Sequence, residues 1–382
     1  MSANSYAAAV TFDNRSQEYS VHHVDFLNAP LVDLPKTRSG DFVAFMDDLF
    51  RSYIEHVKVV NQNTVLGRVI ATRLSTIQGA CDALMQSLRN LVAGDRSAAY
   101  ADLDMALTIL GPHFNALCPS GDMSVFVNPM YRFRPIDATK TFERKDLFHI
   151  PFELQAIIKE MRYSVTGLPC LYLGGSTHVC WKELGQPDIN TISVSRYAAV
   201  PNTNLKVLNF GHRMPVLAAY AHTEPNRFLT ANSENAFMAA QVACWPLVAI
   251  CSIRVPDRTK NERPEYLMPQ LILEWITKTR AFHGVRFFST HYTEYIDNPK
   301  TYMNYVFPAS AITPQDYCAN LKSLFELTEP KTWAQAKALP ISLAGISRPI
   351  YKIKGVVDTS LETEFGVAED GLLTLPLDTF SP

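Results

Sequence analysis

"RYSVTGLPCLYLGGSTHVCWKELG", residues 162–185, joins an arginine-bearing turn to a short apolar run and then to a helix signature. Gly167 and Pro169 punctuate the turn. "CLYL" reads as a strand ending near Tyr172, followed by the glycine pair 174–175. Ser176 is a good helix cap, and the spacing predicts a helix to about Leu184 that stops at Gly185. On that helix Glu183 shares a face with Val179 and Cys180, four and three residues away. A carboxylate on an apolar stripe is uncommon unless it is paired or working. A salt bridge, or a tilt of the helix end into solvent, meets the same spacing. A strand feeding a helix in this way points to an α+β chain.

The wider sequence agrees with a globular protein. It has 382 residues, 47% hydrophobic and 19% charged, enough for a sizeable core and, as a prior, two domains. The net charge of −2 at pH 7 advertises no broad basic surface, so nucleic acid is not an expected partner. Seven cysteines without a CxxC spacing read as reduced thiols, with neither a disulfide framework nor a zinc site. The first twenty residues lack a basic segment and an apolar core, so no signal peptide is expected. The run "AFMAAQVACWPLVAICSI", 236–253, approaches a membrane span in length but is interrupted by Gln241 and Pro246. It reads as a buried helix giving way, after the proline, to a buried strand over "LVAICSIRV". The expectation is a cytoplasmic protein with no membrane segment.

Residues 41–120 carry helical periodicity. "DFVAFMDDLFRSYIEHV" places Phe42, Phe45, Met46, Leu49, Tyr53 and Val57 at helical spacing. "RVIATRLSTIQGACDALMQSLRNLVAG" reads as one long helix ending at a glycine, and "DRSAAYADLDMALTIL" as another, capped by Asp95. From about residue 125 short β-type runs alternate with helical ones: "MSVFVNPMYRFR", "PCLYL", "KVLNF", "VAICSIRV", "GVRFFS" and "MNYVFP". The helical run "EYLMPQLILEWITKTR" is expected to begin at Pro269. Beyond 309 one helix near "QDYCANLKSLFEL" and a strand at "PIYKIKGVV" are expected. The expected division is a helical domain over 1–124, an α+β domain over 125–308 and an extension over 309–382 packed on it.

The chain has no GxGxxG following a strand, no GxxxxGK[ST], no HExxH and no GxSxG. No cluster with metal-ligand spacing is present, so no metal is expected. Arg132 and Arg134 alternate in "YRFRP" and so share one strand face. Arg132 lies between Tyr131 and Phe133, and Arg162 lies beside Tyr163. Guanidinium groups suit diphosphates and aromatic faces suit flat heterocycles. Such a set can hold a nucleotide, although a single exposed arginine is usually a solvated charge. His149, among apolar neighbours in "LFHIPFE", fits a core histidine or a substrate contact. Arg51 and His56 in "RSYIEH" fit the R-x4-H spacing of HEPN ribonucleases, but five residues put them about 140° apart on a helix.

Taken in order, "YRF", the 162–185 stretch, "EYLMPQLILEWI", "GVRFFS" and "NYVFP" resemble the RES-domain family, over roughly residues 128–308. That family is named for an arginine, a glutamate and a serine. Tyr172 and Glu183 keep its eleven-residue interval, Arg132 matches its first arginine and Ser289 its serine. Arg162, Tyr163 and Ser164 stand where the family has Arg-Trp-Asn, and Phe288 stands where it has proline. The resemblance implies a mixed β core like that of ADP-ribosyltransferases, with NAD⁺ as the substrate and no metal. It implies that Glu183 faces the oxocarbenium ion and that Arg132 and Arg162 hold the diphosphate or its ribose flanks. It implies that Tyr172 contacts nicotinamide and Ser289 the carboxamide or ribose, with Tyr163, Ser164 and His149 as further contacts. It further implies a bacterial toxin or anti-phage effector acting as an NAD⁺ glycohydrolase or phosphorylase, restrained by an antitoxin, with a homo-oligomer as a further expectation. ADP-ribosyl transfer to a macromolecule and a non-catalytic nucleotide sensor are the competing readings.

Overall fold

The computed structural model describes residues 27–117, 129–136, 142–211, 214, 233–259, 262–292, 302–310, 317–340 and 359–380. The strand expected at 349–357, the first part of "MSVFVNPMYRFR" and the chain start lie outside the described residues.

Helices α1 (Phe42–Lys58), α2 (Val65–Ala71), α3 (Leu74–Val92) and α4 (Arg96–Leu110) occupy the N-terminal part of the described residues. Their starts follow from side-chain caps. Asp41 accepts from the Ala44 N–H, Thr64 from Gly67 and Asp95 from Ala98, each at 2.9–3.0 Å. The single helix expected from residue 68 to 92 is two. The first ends at Thr72, whose hydroxyl turns back onto the Val69 carbonyl at 2.7 Å, and the chain re-enters helix at Leu74.

A nine-stranded sheet forms the other half. Its strands are β2 (Met130–Pro135), β3 (Cys170–Gly174), β4 (Ile192–Ala199), β5 (Val207–Asn209), β7 (Gly284–Phe288), β8 (Met303–Pro308), β9 (Phe325–Leu327), β10 (Lys331–Thr332) and β11 (Asp378–Thr379). The order is β11-β9-β4-β2-β3-β8-β7-β5, with β10 on β4; only β5–β7 is parallel. Two further strands, β1 (Lys36–Thr37) and β6 (Ile253–Arg254), form a separate parallel pair. The chain is therefore α+β, as the sequence predicts. The run expected as one helix through Leu327 is α8 (Ala319–Leu324) followed by β9, because Phe325 and Leu327 alternate into the core beside β4.

Three helices cover or flank the sheet: α5 (Thr177–Glu183), α6 (Ser233–Cys251) and α7 (Leu267–Thr279). One continuous apolar core joins α1–α4 to α6, α7 and to Val285 and Val306 of the sheet. A second lies on β3, β4 and β8 under Phe148 and Phe325. Two C-terminal helices, α9 (Trp333–Lys337) and α10 (Thr359–Leu373), pack with β2 and β4 in a third.

Pro246 does not end α6, and the strand expected over 247–255 is reduced to Ile253–Arg254. Pro246 cannot donate to the carbonyl of Val242, four residues back. The Tyr53 hydroxyl donates to that carbonyl instead, at 2.7 Å, and the Tyr53 ring stacks on Trp245 at 4.1 Å. With the orphan acceptor satisfied, the apolar helix runs on through the proline. No helix among the described residues is long and apolar enough to cross a membrane.

Candidate functional site

The sheet places the site where β2 and β3 meet. They pair only at Tyr131↔Gly174, whereas β2 pairs with β4 over six residues. Beyond that single pair the half-buried Arg132 reaches across, its Nη1 donating to the Tyr172 carbonyl at 2.9 Å. A cavity of about 440 Å³ opens here, within the range of small-molecule sites. Arg132, Arg162, Arg258 and Arg263 line it, with the carboxylates of Glu160 and Glu183 and the rings of Tyr172 and Tyr266. A cationic cavity with aromatic walls suits an anionic ligand that carries flat rings.

Glu183 sits at the last position of α5. Ser176 caps the helix by accepting from Val179 N–H at 3.0 Å, and Gly185 leaves it at φ +80°. Gly174 lets the helix approach β3: a Cβ there would lie 2.5 Å from Cys180 Sγ and 2.6 Å from Val179 Cγ1. The carboxylate is fixed on both oxygens. Ser289 Oγ and Asn304 Nδ2 donate to Oε1 at 2.5 and 2.7 Å, and His291 Nε2 lies 3.2 Å from Oε2. Burial alone would push this carboxyl up. The contacts with His291, Ser289 and Asn304 outweigh burial and hold it below the ordinary carboxylate value. The site thus keeps a charged carboxylate, 29% exposed, facing the cavity.

The opposite wall is built from the turn. Arg162 is 7% exposed; its guanidinium lies 5.0 Å from the Tyr266 ring centroid and donates to Thr290 Oγ1 at 3.3 Å. Arg263 lies over the same ring at 5.5 Å. Ser164 Oγ and the Tyr172 hydroxyl are 3.0 Å apart, and burial raises that phenol's pKa well above its ordinary value, so Tyr172 stays neutral. Burial also lowers the pKa of Arg132, whose Nε has no hydrogen-bond partner among the described residues.

Arg132, Arg162, Ser164, Tyr172 and Glu183, all expected from sequence, line one cavity. Three other expected contacts stand elsewhere. Ser289 is fully buried, and its hydroxyl donates to Glu183. Tyr163 is 1% exposed and packs on Phe287 in the first core, on the far side of the turn. His149 is fully buried; its Nε2 accepts from the Cys318 N–H at 2.8 Å and its Nδ1 bonds the Ile150 carbonyl at 2.7 Å. Those two bonds make it the core histidine. Arg134 leaves the site as well, bonding the Asp146 carbonyl beside Phe142. Arg51 is exposed and paired with Asp47 and Asp48, away from His56 on the helix. Sequence reasoning missed Asn304, His291 and Arg258. Asn304 opens the quoted segment "NYVFP" and His291 lies two residues after Ser289, so those positions were the available signal; Arg258 had none. Among the described residues no group of three or more His, Cys, Asp or Glu is placed to hold a metal.

The sequence is 30% identical over 356 residues to a Bacillus subtilis (strain 168) protein named "Putative toxin YopC", covering 89% of this chain and 78% of the relative. This chain belongs to the YopC family. The aligned length takes in both halves of the fold, so the likeness to YopC is not confined to the cavity. No family model and no solved structure matches the chain.

Proposed function

We propose that this member of the YopC family is a toxin that cleaves the nicotinamide–ribose bond of NAD⁺. The observation that carries the reading is Glu183, held charged by three side chains at the wall of a four-arginine cavity. The leaving nicotinamide is already cationic, so the bond breaks with its electron pair going to the ring nitrogen and needs no general acid. What the step needs is a carboxylate beside the oxocarbenium ion that forms. Glu183 supplies it, with Ser289 and Asn304 fixing its orientation. Arg132 and Arg162 hold the diphosphate and Tyr172 contacts the nicotinamide ring. NAD⁺ is the substrate, no metal takes part, and the resemblance to the RES-domain family supports the same roles. The name of the relative supports the toxin reading. A cytoplasmic enzyme of this kind requires restraint, which an antitoxin protein would supply.

The test is to incubate the purified protein with NAD⁺, with and without phosphate, and identify the products by mass. Free nicotinamide with ADP-ribose or its 1″-phosphate supports cleavage. Label appearing on protein or nucleic acid would make it an ADP-ribosyltransferase. Tight NAD⁺ binding with no nicotinamide released would make it a nucleotide sensor and overturn the proposal.

A further inference from the structure

The proposed cleavage leaves one proton to be placed. When an O–H acceptor attacks the ribosyl C1′, a C–O bond forms and the acceptor's proton must leave. Glu183 is poorly suited to take it. Its Oε1 already accepts two hydrogen bonds, from Ser289 and Asn304, and both weaken it as a base. Tyr172 holds its own proton, because burial raises its pKa. Glu160 is tied to Gln270 Nε2 at 2.8 Å.

His291 is differently placed. It lines the cavity, and its side chain is 26% exposed. Its Nε2 lies between a cation and an anion: Arg258 Nη1 on one side and Glu183 Oε2, 3.2 Å away, on the other. One ring nitrogen cannot accept from Arg258 and donate to Glu183 at once. With its proton on Nδ1 the neutral ring accepts from Arg258 at Nε2; once Nε2 carries a proton it donates to Glu183 instead. Arg258 also donates from Nη2 to the Thr290 carbonyl at 2.9 Å and to its hydroxyl at 3.1 Å, so it stays anchored when Nη1 releases the imidazole.

We infer that His291 is the general base of the reaction: its Nε2 takes the proton of an O–H acceptor, water or an alcohol, as that oxygen bonds C1′. The inference rests on the proposed NAD⁺ cleavage. The acceptor hydroxyl replaces Arg258 as the partner of Nε2. The imidazolium that results is held by Glu183 Oε2, and the proton then passes to solvent. Electrons and atoms balance: the C1′–N bond breaks, the C1′–O bond forms, nicotinamide leaves neutral, and one proton is released.

The test compares wild type with His291→Ala and His291→Gln, following nicotinamide release from NAD⁺ in plain buffer and with added azide. Azide is a nucleophile with no proton to lose. NAD⁺ binding and thermal melting are measured in parallel. In plain buffer both variants should fall by about 10²–10⁴-fold, the usual share of general-base catalysis, with binding retained. Azide should restore release in both, with an ADP-ribosyl azide identified by mass. Full activity of folded His291→Ala overturns the assignment. A loss that azide does not rescue also overturns it, since His291 would then only orient Glu183. Wild type that releases no nicotinamide removes the cleavage reading itself, which separates that failure from this one.

Discussion

Thr177 donates both its backbone N–H, at 2.6 Å, and its hydroxyl, at 2.7 Å, to Glu369 Oε1. Glu369 lies on α10, 192 residues away, and is 6% exposed. The C-terminal helix therefore caps the helix that carries Glu183. A carboxylate also complements the positive end of that helix. Glu369→Gln keeps one acceptor oxygen but loses the charge. The expected outcome is a loss of about 1.5–3 kcal/mol in urea unfolding, the usual worth of bonds to a charged group. Nicotinamide release should fall with it, since α5 positions Glu183. Unchanged stability and rate would make the cap incidental.

Tyr53→Phe tests how α6 passes Pro246. Phenylalanine keeps the stacking on Trp245 but leaves the buried Val242 carbonyl without its Tyr53 donor. An unsatisfied buried acceptor costs about 1–3 kcal/mol. Denaturant unfolding reads this directly, and a variant as stable as wild type would show that the helix tolerates the orphan carbonyl.

These two contacts explain what the sequence could and could not reveal. Ser176, Gly185 and the placement of Glu183 are local, because caps and helical faces span three or four residues. The arginine turn and the short β-type runs of β2, β3, β7 and β8 are local too. Pro246 was misread because its compensation comes from Tyr53, 189 residues away in sequence. Ser289 was given a ligand because nothing in "GVRFFS" shows that its hydroxyl meets Glu183, 106 residues upstream. His149 looked the same from sequence whether it bonded Cys318 or a substrate. What the sequence hid were pairings between distant segments, and those decide which polar groups are free to act.

Arg132 separates charge from shape. If it holds a diphosphate, two parallel hydrogen bonds from one guanidinium matter, and lysine cannot reproduce them. Arg132→Ala should weaken NAD⁺ binding more than Arg132→Lys, with both below wild type in a calorimetric titration. Lysine also loses the planar fork that reaches the Tyr172 carbonyl. Full affinity in Arg132→Lys would reduce the residue to a point charge or place the ligand elsewhere.

Glu183→Gln preserves size and most hydrogen-bonding capacity while removing the charge. That charge matters far more in the oxocarbenium-like transition state than in bound NAD⁺. Binding should survive, and nicotinamide release should fall by about 10²–10³-fold, equal to about 3–4 kcal/mol. The same carboxylate predicts a pH dependence of stability. Its pKa is lower folded than unfolded, so its contribution is present above the ordinary carboxylate value and is lost as pH falls through the folded one. Wild type should therefore exceed Glu183→Gln in stability near neutrality, and the gap should close on acidification. If Glu183 served only as an ion-pair partner, the gap in stability would appear while the folded variant kept its rate. Melting temperature and nicotinamide release, measured on the same samples across pH, distinguish the two, and wild-type turnover in well-folded Glu183→Gln would remove the carboxylate from the mechanism.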